Sequence, residues 1–471
     1  MGVPAVIAAA WLVSAGLIAA SGGHNRATAA GELKCAKGQT PAVIAGRARC
    51  LAVGQRCKNA DDRLYHRYRF HCVNGRLARR HPIPLQHPLG VRLVNGQGEF
   101  FDRKSGARFV PRGATYLRRG TVVVPGDASV FFGKTFVVGA YDSARAEAAL
   151  TQMESYGFNT VKIFIDGICK SGCLGDRLGF GELSAAYVQN LVDFLKRAKA
   201  HHLYVVLTND GVPANTSYQD AVRAASPTFA GSNAGFLSPA GVNGSAQFWR
   251  AFVGTLKDRG APLDAIAAYE IASEAWYQVH VAPFSLNAGT VTPANGKTYD
   301  LTSYDDLVRM MDDGFVYFAD TVRAAIKSVD PTALVSMGFF APVSGQDRYL
   351  VTTGVLGRSS LDFVDFHHYP GVPPSFQEAM QLFGLPPQTA KPVVMGEYGA
   401  FKFAYPTAES GAAALTDWEH KSCAYGYDGW LMWTWDTEEG AEGEAPLWNA
   451  MSQGGTIAQA LSPKTRPDPC A

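Results

Sequence analysis

Apolar residues recur along this chain in short strand-like runs that alternate with longer stretches of helical spacing. Within residues 143–156 the apolar side chains fall on one helical face, and residues 184–200 and 304–326 show the same spacing. Such an alternation predicts parallel βα units. The predicted strands are Arg108–Tyr116, Asn159–Ile165, Leu203–Thr208, Ala265–Ile271, Ala333–Phe340, Phe363–Tyr369, Pro392–Glu397 and Gly429–Trp435.

Eight strands in about 350 residues favour a closed (β/α)8 barrel, the TIM barrel, over a doubly wound sheet. No glycine-rich phosphate loop follows the first strand, which also argues against the doubly wound alternative. We therefore expect an α/β protein whose barrel domain spans residues 89–471.

Residues 1–30 have the pattern of a signal peptide. An uncharged apolar run covers residues 3–20, and cleavage is expected after Ala20 or near Ala27–Ala30. No Lys or Arg precedes the run, so an uncleaved N-terminal anchor is the alternative. The signal predicts a secreted protein, free or associated with the cell surface.

Residues 35–80 form a small basic module, followed by a proline-containing linker at residues 81–88. The module carries four cysteines and eleven Lys or Arg against two acidic residues. This charge, interleaved with Tyr65, Tyr68 and Phe70, suits an anionic cell-wall polymer or an acidic polysaccharide. A solvated spacer is the alternative, and nucleic acid is not expected as a partner of an exported protein.

Eight cysteines, an even number, predict disulfides in an exported chain. We expect Cys169 to pair with Cys173 and Cys423 with Cys470, while the pairing of the four module cysteines stays open. Zinc at Cys169 and Cys173 is the competing interpretation, but no second Cys or His pair lies near them in the sequence.

Composition places the whole chain among ordinary globular proteins. It is 47% hydrophobic and 18% charged, with a net charge of +2 that indicates no class of partner. We expect a monomer that binds no metal and needs no cofactor.

Two glutamates lie where a barrel carries its chemistry, at the C-terminal ends of strands. Glu274 follows the fourth predicted strand and Glu397 ends the seventh. A carboxylate directly after an apolar run is costly to desolvate unless it has a function. Two facing carboxyls can cleave a glycoside with retention of configuration. We expect Glu274 to be protonated near neutral pH and Glu397 to be ionised.

Aromatic and imidazole side chains follow two further strands. His367 and Tyr369 share one face of the sixth strand and point to the site, while His368 points away. The alternation places Trp433 and Trp435 on one face of the eighth strand, and one of them is expected to stack on a sugar.

This constellation resembles the retaining (β/α)8 glycosidases, and most closely glycoside hydrolase family 5, the cellulase family. Over residues 108–450 the resemblance implies that Glu274 is the acid/base and Glu397 the nucleophile. It also implies substrate-binding roles for His367, Tyr369, Trp433 and the neighbours of the acid/base, Ser273 and Trp276. The implied activity is hydrolysis of a β-glucan or β-mannan without a cofactor.

Three positions depart from the family pattern. Ser273 stands where the family usually has Asn, Lys162 where it has an Arg that steadies the nucleophile, and Thr115 where an Asn is frequent. An ammonium cannot reproduce the two-pronged contact of a guanidinium. These departures favour the second hypothesis, a non-catalytic carbohydrate-binding protein on a degenerate barrel, whereas the intact glutamate pair favours the enzyme.

A third hypothesis is a metal-dependent hydrolase built on His280, Asp365, His367 and His368. Adjacent histidines on one strand point to opposite faces, and no His-x-His pair occurs, so this hypothesis ranks below the other two. No Gly-x-Ser-x-Gly turn supports a serine hydrolase.

Overall fold

The computed structural model describes residues 34–45, 47–66, 68–79, 87–122, 130–133, 135–166, 173–175, 182–210, 213, 215–341, 347–435 and 447–471. The expected signal peptide, most of the linker, and Cys169 lie outside these residues. Contacts divide the chain into two units, Met1–Pro82 and Ile83–Ala471.

The first unit is the cysteine-rich module. Its strands β1 (Thr40–Ile44) and β2 (Arg47–Leu51) form an antiparallel hairpin. After the short helix α1 (Asp62–His66), strands β3 (Phe70–Val73) and β4 (Arg76–Arg79) form a second hairpin. Disulfides join Cys35 to Cys50 and Cys57 to Cys72, which settles the pairing that the sequence left open.

The module has a core of its own, made of six side chains: Ala42, Ile44, Leu51, Tyr65, Phe70 and Leu77. So small a core needs covalent support, and each disulfide closes a loop with a sequence separation of 15. Tyr65 and Phe70 are buried, so the interleaved aromatics that we associated with polymer binding serve mainly to build this core.

The second unit contains a closed parallel barrel with the strand order expected from the sequence. Its strands are β8 (Arg112–Tyr116), β11 (Thr160–Asp166), β12 (Tyr204–Asn209), β13 (Ile266–Glu270), β16 (Leu334–Ser336) continued by β17 (Gly338–Phe340), β18 (Val364–His367), β19 (Val393–Tyr398) and β20 (Tyr427–Trp435). Neighbours pair in parallel around the barrel, and β20 pairs with β8 to close it. The fifth strand is divided at Met337, so nine segments make eight strands.

The predicted first strand, Arg108–Tyr116, is two strands in the structure. A three-stranded antiparallel sheet precedes the barrel and consists of β5 (Leu89–Val94), β6 (Gln97–Asp102) and β7 (Arg108–Phe109). Pro111, which has no backbone N–H, separates β7 from β8. Leu89 and Phe100 of this sheet pack with Val206 and Leu334 at the N-terminal end of the barrel.

Helices surround the barrel: α2 (Ser143–Tyr156), α3 (Ala185–Ala200), α4 (Thr216–Ala224), α5 (Gly231–Leu237), α6 (Pro239–Asp258), α7 (Tyr304–Lys327), α8 (Thr353–Gly357), α9 (Phe376–Leu382), α10 (Ala408–Ser422) and α11 (Ser452–Ala460). Two small hairpins, β9 (Arg119–Val122) with β10 (Val130–Gly133) and β14 (Thr290–Val291) with β15 (Tyr299–Asp300), complete the unit.

Local sequence accounts for the ends of these helices. The Asp142 side chain accepts hydrogen bonds from the backbone N–H groups of Ala144 and Arg145 at the start of α2. Gly157 ends that helix in the left-handed conformation, with φ of 85°. Among the described residues, none of the helices is long and apolar enough to cross a bilayer.

A disulfide joins Cys423 to Cys470, as expected, and attaches the C-terminal segment to the residue that follows α10. Cys173 is disulfide-bonded as well, and no described cysteine is free.

Candidate active site

Glu274 and Glu397 meet at the C-terminal end of the barrel. One oxygen of each carboxylate and a ring nitrogen of His367 all lie within 4.8 Å of one another. Retaining glycosidases hold their two carboxyls about 5–5.5 Å apart, whereas inverting enzymes leave about 6.5–9.5 Å for a water molecule. The spacing here fits the retaining arrangement and is too short for the inverting one.

The backbone at Glu274 is held in an uncommon conformation. Its φ of 47° lies in the left-handed region that residues other than glycine rarely adopt. The backbone N–H groups of its two neighbours fix it from both sides: Ser273 donates to the Asn209 carbonyl and Ala275 to the Gly338 carbonyl, each at 2.9 Å. Strained backbone of this kind concentrates at functional sites, because the surrounding structure must over-determine it.

Glu397 is the more enclosed of the two carboxylates, with a side chain 5% exposed against 34% for Glu274. The Tyr369 hydroxyl donates a hydrogen bond to Glu397 Oε2 at 3.1 Å. The Lys162 ammonium lies 3.5 Å from Glu397 Oε1. An oriented, charge-stabilised carboxylate with restricted solvent access suits a nucleophile.

His367 lies between the two glutamates. Its Nδ1 is 3.2 Å from Glu274 Oε1 and 3.4 Å from Glu397 Oε2. Its Nε2 faces Asp365 Oδ2 at 3.4 Å. Burial lowers the pKa of His367, but the carboxylates of Glu397 and Asp365 outweigh that effect and raise the pKa to about 10.

The pKa directions of the glutamates differ from our expectation. Burial raises the pKa of Glu397, and the charges of His367 and Lys162 offset only part of that rise. Burial acts on Glu274 as well, but its hydrogen bond with His367 and the charge of that residue leave its pKa below the ordinary value. The cause is a tertiary contact that strand alternation does not reveal. A substrate oxygen that replaced His367 at Glu274 would remove the contact that lowers this pKa.

The remaining predicted residues fall into two groups. Ser273 is buried beside Glu274, and Trp276 is half-buried beneath the Arg348 guanidinium, 4.6 Å from the ring centroid. Trp433 belongs to an apolar cluster with Phe401 and with Tyr369, whose hydroxyl contacts Glu397. Ser273 and Trp276 thus lie within two residues of Glu274 in the chain, and Trp433 packs with a residue that contacts Glu397.

Strand alternation predicted the sixth strand correctly and the eighth wrongly. His368 points away from the site, stacks on Trp418 and accepts a hydrogen bond from its indole N–H. Trp435 does not share a face with Trp433, because it packs on Tyr156 and Phe158 in the outer core. The register of β20 against β8 shifts between Met432 and Trp435, which interrupts the alternation.

Two buried acids beneath the site were not assigned from the sequence. Glu270, four residues before Glu274, and Asp365, two before His367, both lie near the Lys162 ammonium at 3.0 Å. Asp365 had entered only the metal hypothesis. The i, i+2 spacing of Asp365, His367 and Tyr369 was the signal that all three point inward.

The four residues of the metal hypothesis do not come together. His280 is largely exposed and faces Asp347, and His368 contacts Trp418. The compact groups of potential ligands include His367 with Glu270 and Asp365, and His367 with Glu274 and Glu397. The Lys162 ammonium already lies within 3.5 Å of three of these four carboxylates, those of Glu270, Asp365 and Glu397, which leaves little electrostatic reason for a metal ion.

Solved structures of glycoside hydrolases share this fold. An exo-β-1,4-mannosidase from Opitutaceae bacterium strain TAV5 aligns with a TM-score of 0.51 and 16% identity, over 80% of this chain and 63% of that one. An endo-1,4-β-mannanase from Rhizomucor miehei aligns with a TM-score of 0.52 and 13% identity, over 80% of this chain and 100% of that one. A glycoside hydrolase family 5 mannosidase from the same organism gives 0.50 and 13%, over 79% and 96%.

At these identities the comparison shows that the chain has the (β/α)8 fold of those hydrolases. The chain spans 63% of the length of the exo-mannosidase. No protein-family model and no curated protein matches the sequence.

Proposed function

We propose that this protein is a retaining β-glycoside hydrolase that cleaves a β-mannan or a β-glucan. The observation that carries the proposal is the pair of carboxylates, Glu274 and Glu397, within 4.8 Å of each other at the mouth of the barrel. That spacing matches the double-displacement mechanism.

In the first step Glu397 attacks the anomeric carbon while Glu274 gives its proton to the departing glycosidic oxygen. The bond to the leaving sugar breaks, and a glycosyl ester forms on Glu397. In the second step Glu274 takes a proton from water, and the resulting hydroxide displaces Glu397 with a second inversion. Tyr369 and Lys162 would hold Glu397 in place throughout, because both contact its carboxylate.

Mannan is the first substrate to test. Three hydrolases that align with TM-scores of at least 0.50 carry the names mannosidase or mannanase. The apolar cluster around Trp433 offers a surface on which the C–H face of a pyranose can stack.

A panel of β-mannan, β-glucan and xylan, each incubated with the wild type and with Glu397→Gln, tests the proposal. We expect the wild type to release reducing ends from mannan or glucan and the matched variant to release none. If the wild type binds a polymer but hydrolyses none, the non-catalytic alternative, which Ser273 and Lys162 favour, replaces the enzyme.

We further propose that the protein is exported. The Cys35–Cys50, Cys57–Cys72 and Cys423–Cys470 disulfides support an oxidising compartment. Detection of the processed chain in culture medium tests this proposal, and recovery only from the cytoplasm with reduced thiols contradicts it.

A second function is carried by the module, which we propose binds an anionic polymer. Eight cationic side chains are exposed between residues 34 and 76: Lys34, Lys37, Arg47, Arg49, Arg56, Lys58, Arg69 and Arg76. None of these forms an ion pair within the part of the chain that the structure describes. Asp62, one of only two acids, accepts a hydrogen bond from the Cys72 backbone N–H.

The aromatic side chains of the module argue against recognition of a neutral sugar. Tyr65 and Phe70 are buried, and the Tyr68 hydroxyl accepts a hydrogen bond from the Val43 N–H at 2.9 Å. Charge is therefore the recognition chemistry that the described surface offers, so binding should weaken as salt shortens the Debye length.

The test compares binding of the full chain to dextran sulfate and to neutral dextran over a salt series. Replacement of Arg47, Arg49 and Arg56 by Gln should weaken binding to the sulfated polymer. The control replaces three exposed cations of the barrel unit by Gln: Lys104, Lys196 and Arg250. Equal losses in both variants would refute a binding site on the module.

A further inference from the structure

A buried charge cluster lies directly beneath the catalytic pair and consists of Lys162, Glu270, Asp365 and His367. All four residues are at most 1% exposed. The Lys162 ammonium is 3.0 Å from both Glu270 Oε1 and Asp365 Oδ2, and 3.1 Å from His367 Nε2. The cluster therefore connects three barrel strands to the nucleophile, Glu397.

The two acids of this cluster have very different surroundings. Asp365 accepts a hydrogen bond from the Gly396 backbone N–H at 2.6 Å and faces Lys162 and His367. The approach at Gly396 is so close that a Cβ there would lie 1.8 Å from Asp365 Oδ2, which only glycine permits. Three donors around one carboxylate favour its ionised form.

Glu270 has no such set of donors. Neither of its oxygens accepts a hydrogen bond from the described residues, and Lys162 is its ion-pair partner. Below it the barrel interior is apolar, since Val206, Leu334 and Val394 line the same cavity as the two acids. A carboxyl in such a place is stabilised by keeping its proton.

The short distance between the two acids favours a difference in their charge. One oxygen of Glu270, one of Asp365 and a nitrogen of His367 lie within 4.8 Å of one another. Two carboxyls this close in an apolar interior do not both ionise readily, as in dyads that share a proton. Burial raises the pKa of Glu270 well above its ordinary value, and Asp365 adds to the rise while Lys162 opposes it.

We propose that Glu270 is an uncharged carboxylic acid in the resting protein and acts as a positioning residue for the nucleophile. The hydroxyl of the Glu270 acid donates a hydrogen bond to Asp365, and its other oxygen contacts Lys162. Because this acid carries no negative charge, the ammonium stays available to stabilise Asp365 and Glu397. This role rests on the proposed glycosidase function, although the protonation state itself does not.

Charge balance supports this assignment. The Lys162 ammonium and the His367 imidazolium already face three carboxylates, those of Asp365, Glu397 and Glu274, when Glu270 is neutral. An ionised Glu270 would add a fourth carboxylate to the same two cations. Lys162 would then stabilise the negative charge of Glu397 less, because more carboxylates would compete for the same ammonium.

The first test measures the protonation state of Glu270 in the absence of substrate. An infrared difference spectrum of wild type minus Glu270→Gln at neutral pD should contain the carbonyl stretch of a protonated carboxylic acid, above the amide I band. A difference containing only carboxylate bands would overturn the proposal, whether or not the protein hydrolyses any glycan. Thermal melting of both proteins, with matching transitions, confirms that both are folded.

The second test reads the positioning role through the pH profile of kcat/KM. Gln mimics the neutral acid, so Glu270→Gln should keep kcat within about threefold and leave the acidic limb in place. In Glu270→Ala, kcat should fall by a larger factor than KM changes, because the Lys162 ammonium loses a contact that holds it in position. If Glu270 is ionised instead, Glu270→Gln removes a negative charge near Lys162 and moves the acidic limb to lower pH, which would refute the proposal.

Discussion

Replacement of Lys162 by Met removes the one ammonium that the described part of the chain places within reach of Glu397, the proposed nucleophile, and leaves a side chain of similar length. The ammonium lies 3.5 Å from Glu397 Oε1 and is fully buried. At an effective dielectric constant of about 20, two unit charges at that distance attract by about 5 kcal/mol, or roughly 3.5 pKa units. Because Asp365 and Glu270 also contact the ammonium, we expect its removal to raise the pKa of Glu397 by only about 1–2 units.

In its proposed role Glu397 attacks only when it is ionised, which fixes the direction of the expected shift. Loss of the cation raises the pKa of Glu397 above its already raised value. The acidic limb of the kcat/KM profile should therefore move to higher pH by about 1–2 units in Lys162→Met. Lys162→Arg, which keeps the charge, should leave the limb near its wild-type position.

Stability must be followed in the same variants. Removal of one partner from a buried ion pair typically costs about 3–5 kcal/mol, so Lys162→Met should melt well below the wild type. The assay is run far below that transition. An acidic limb that stays in place or moves to lower pH, in a folded Lys162→Met protein, would refute the role assigned to Lys162.

Three further predictions concern separate parts of the molecule. Cys470→Ser opens the disulfide to Cys423, which spans 47 residues of sequence, so the melting temperature should fall by an amount equivalent to about 4 kcal/mol with turnover at 25 °C unchanged; an unchanged melting temperature would contradict this. A chain beginning at Ile83, the first residue of the second unit, should keep the wild-type kcat on a soluble glycan, because the two units form separate contact groups; loss of activity in a folded protein would show that the module contributes to the cleft. Tyr369→Phe removes a 3.1 Å hydrogen bond to Glu397 and should lower kcat about 10- to 100-fold while raising the pH of the acidic limb; an unchanged profile would exclude this contact from catalysis.

Regular patterns made the barrel predictable. The helix predicted at 143–156 is α2 (Ser143–Tyr156), and the one predicted at 184–200 is α3 (Ala185–Ala200), which Ser184 caps. These elements depend on local spacing and caps, which a sequence displays directly. The failures in the fold occur at interruptions, such as the break between β7 and β8 at Pro111 and the division of the fifth strand at Met337.

From the sequence, the site could be predicted only for residues that lie at strand ends or whose direction follows from strand alternation. Glu274, Glu397, His367 and Tyr369 meet as expected, since each lies at or just after a strand end. The lowered pKa of Glu274 depends on its contact with His367, which only the folded barrel creates.

Packing decided the other outcomes. Trp435 turned to the outer core because the register of β20 shifts, and the aromatics Tyr65 and Phe70 were needed to fill a module with little else to bury. A sequence does not display such competition between packing and function, because the same residue types serve both.

The central claim, that Glu397 attacks the sugar and Glu274 transfers the proton, is tested most directly by azide rescue followed by stereochemical analysis of the product. With an activated aryl β-glycoside, Glu274→Ala should still form the glycosyl ester, which azide then attacks to give the β-glycosyl azide. Glu397→Ala has lost the nucleophile, so azide should enter from the vacated side and give the α-glycosyl azide. Opposite configurations of the two products, or wild-type rates in both variants without azide, would contradict the assignment.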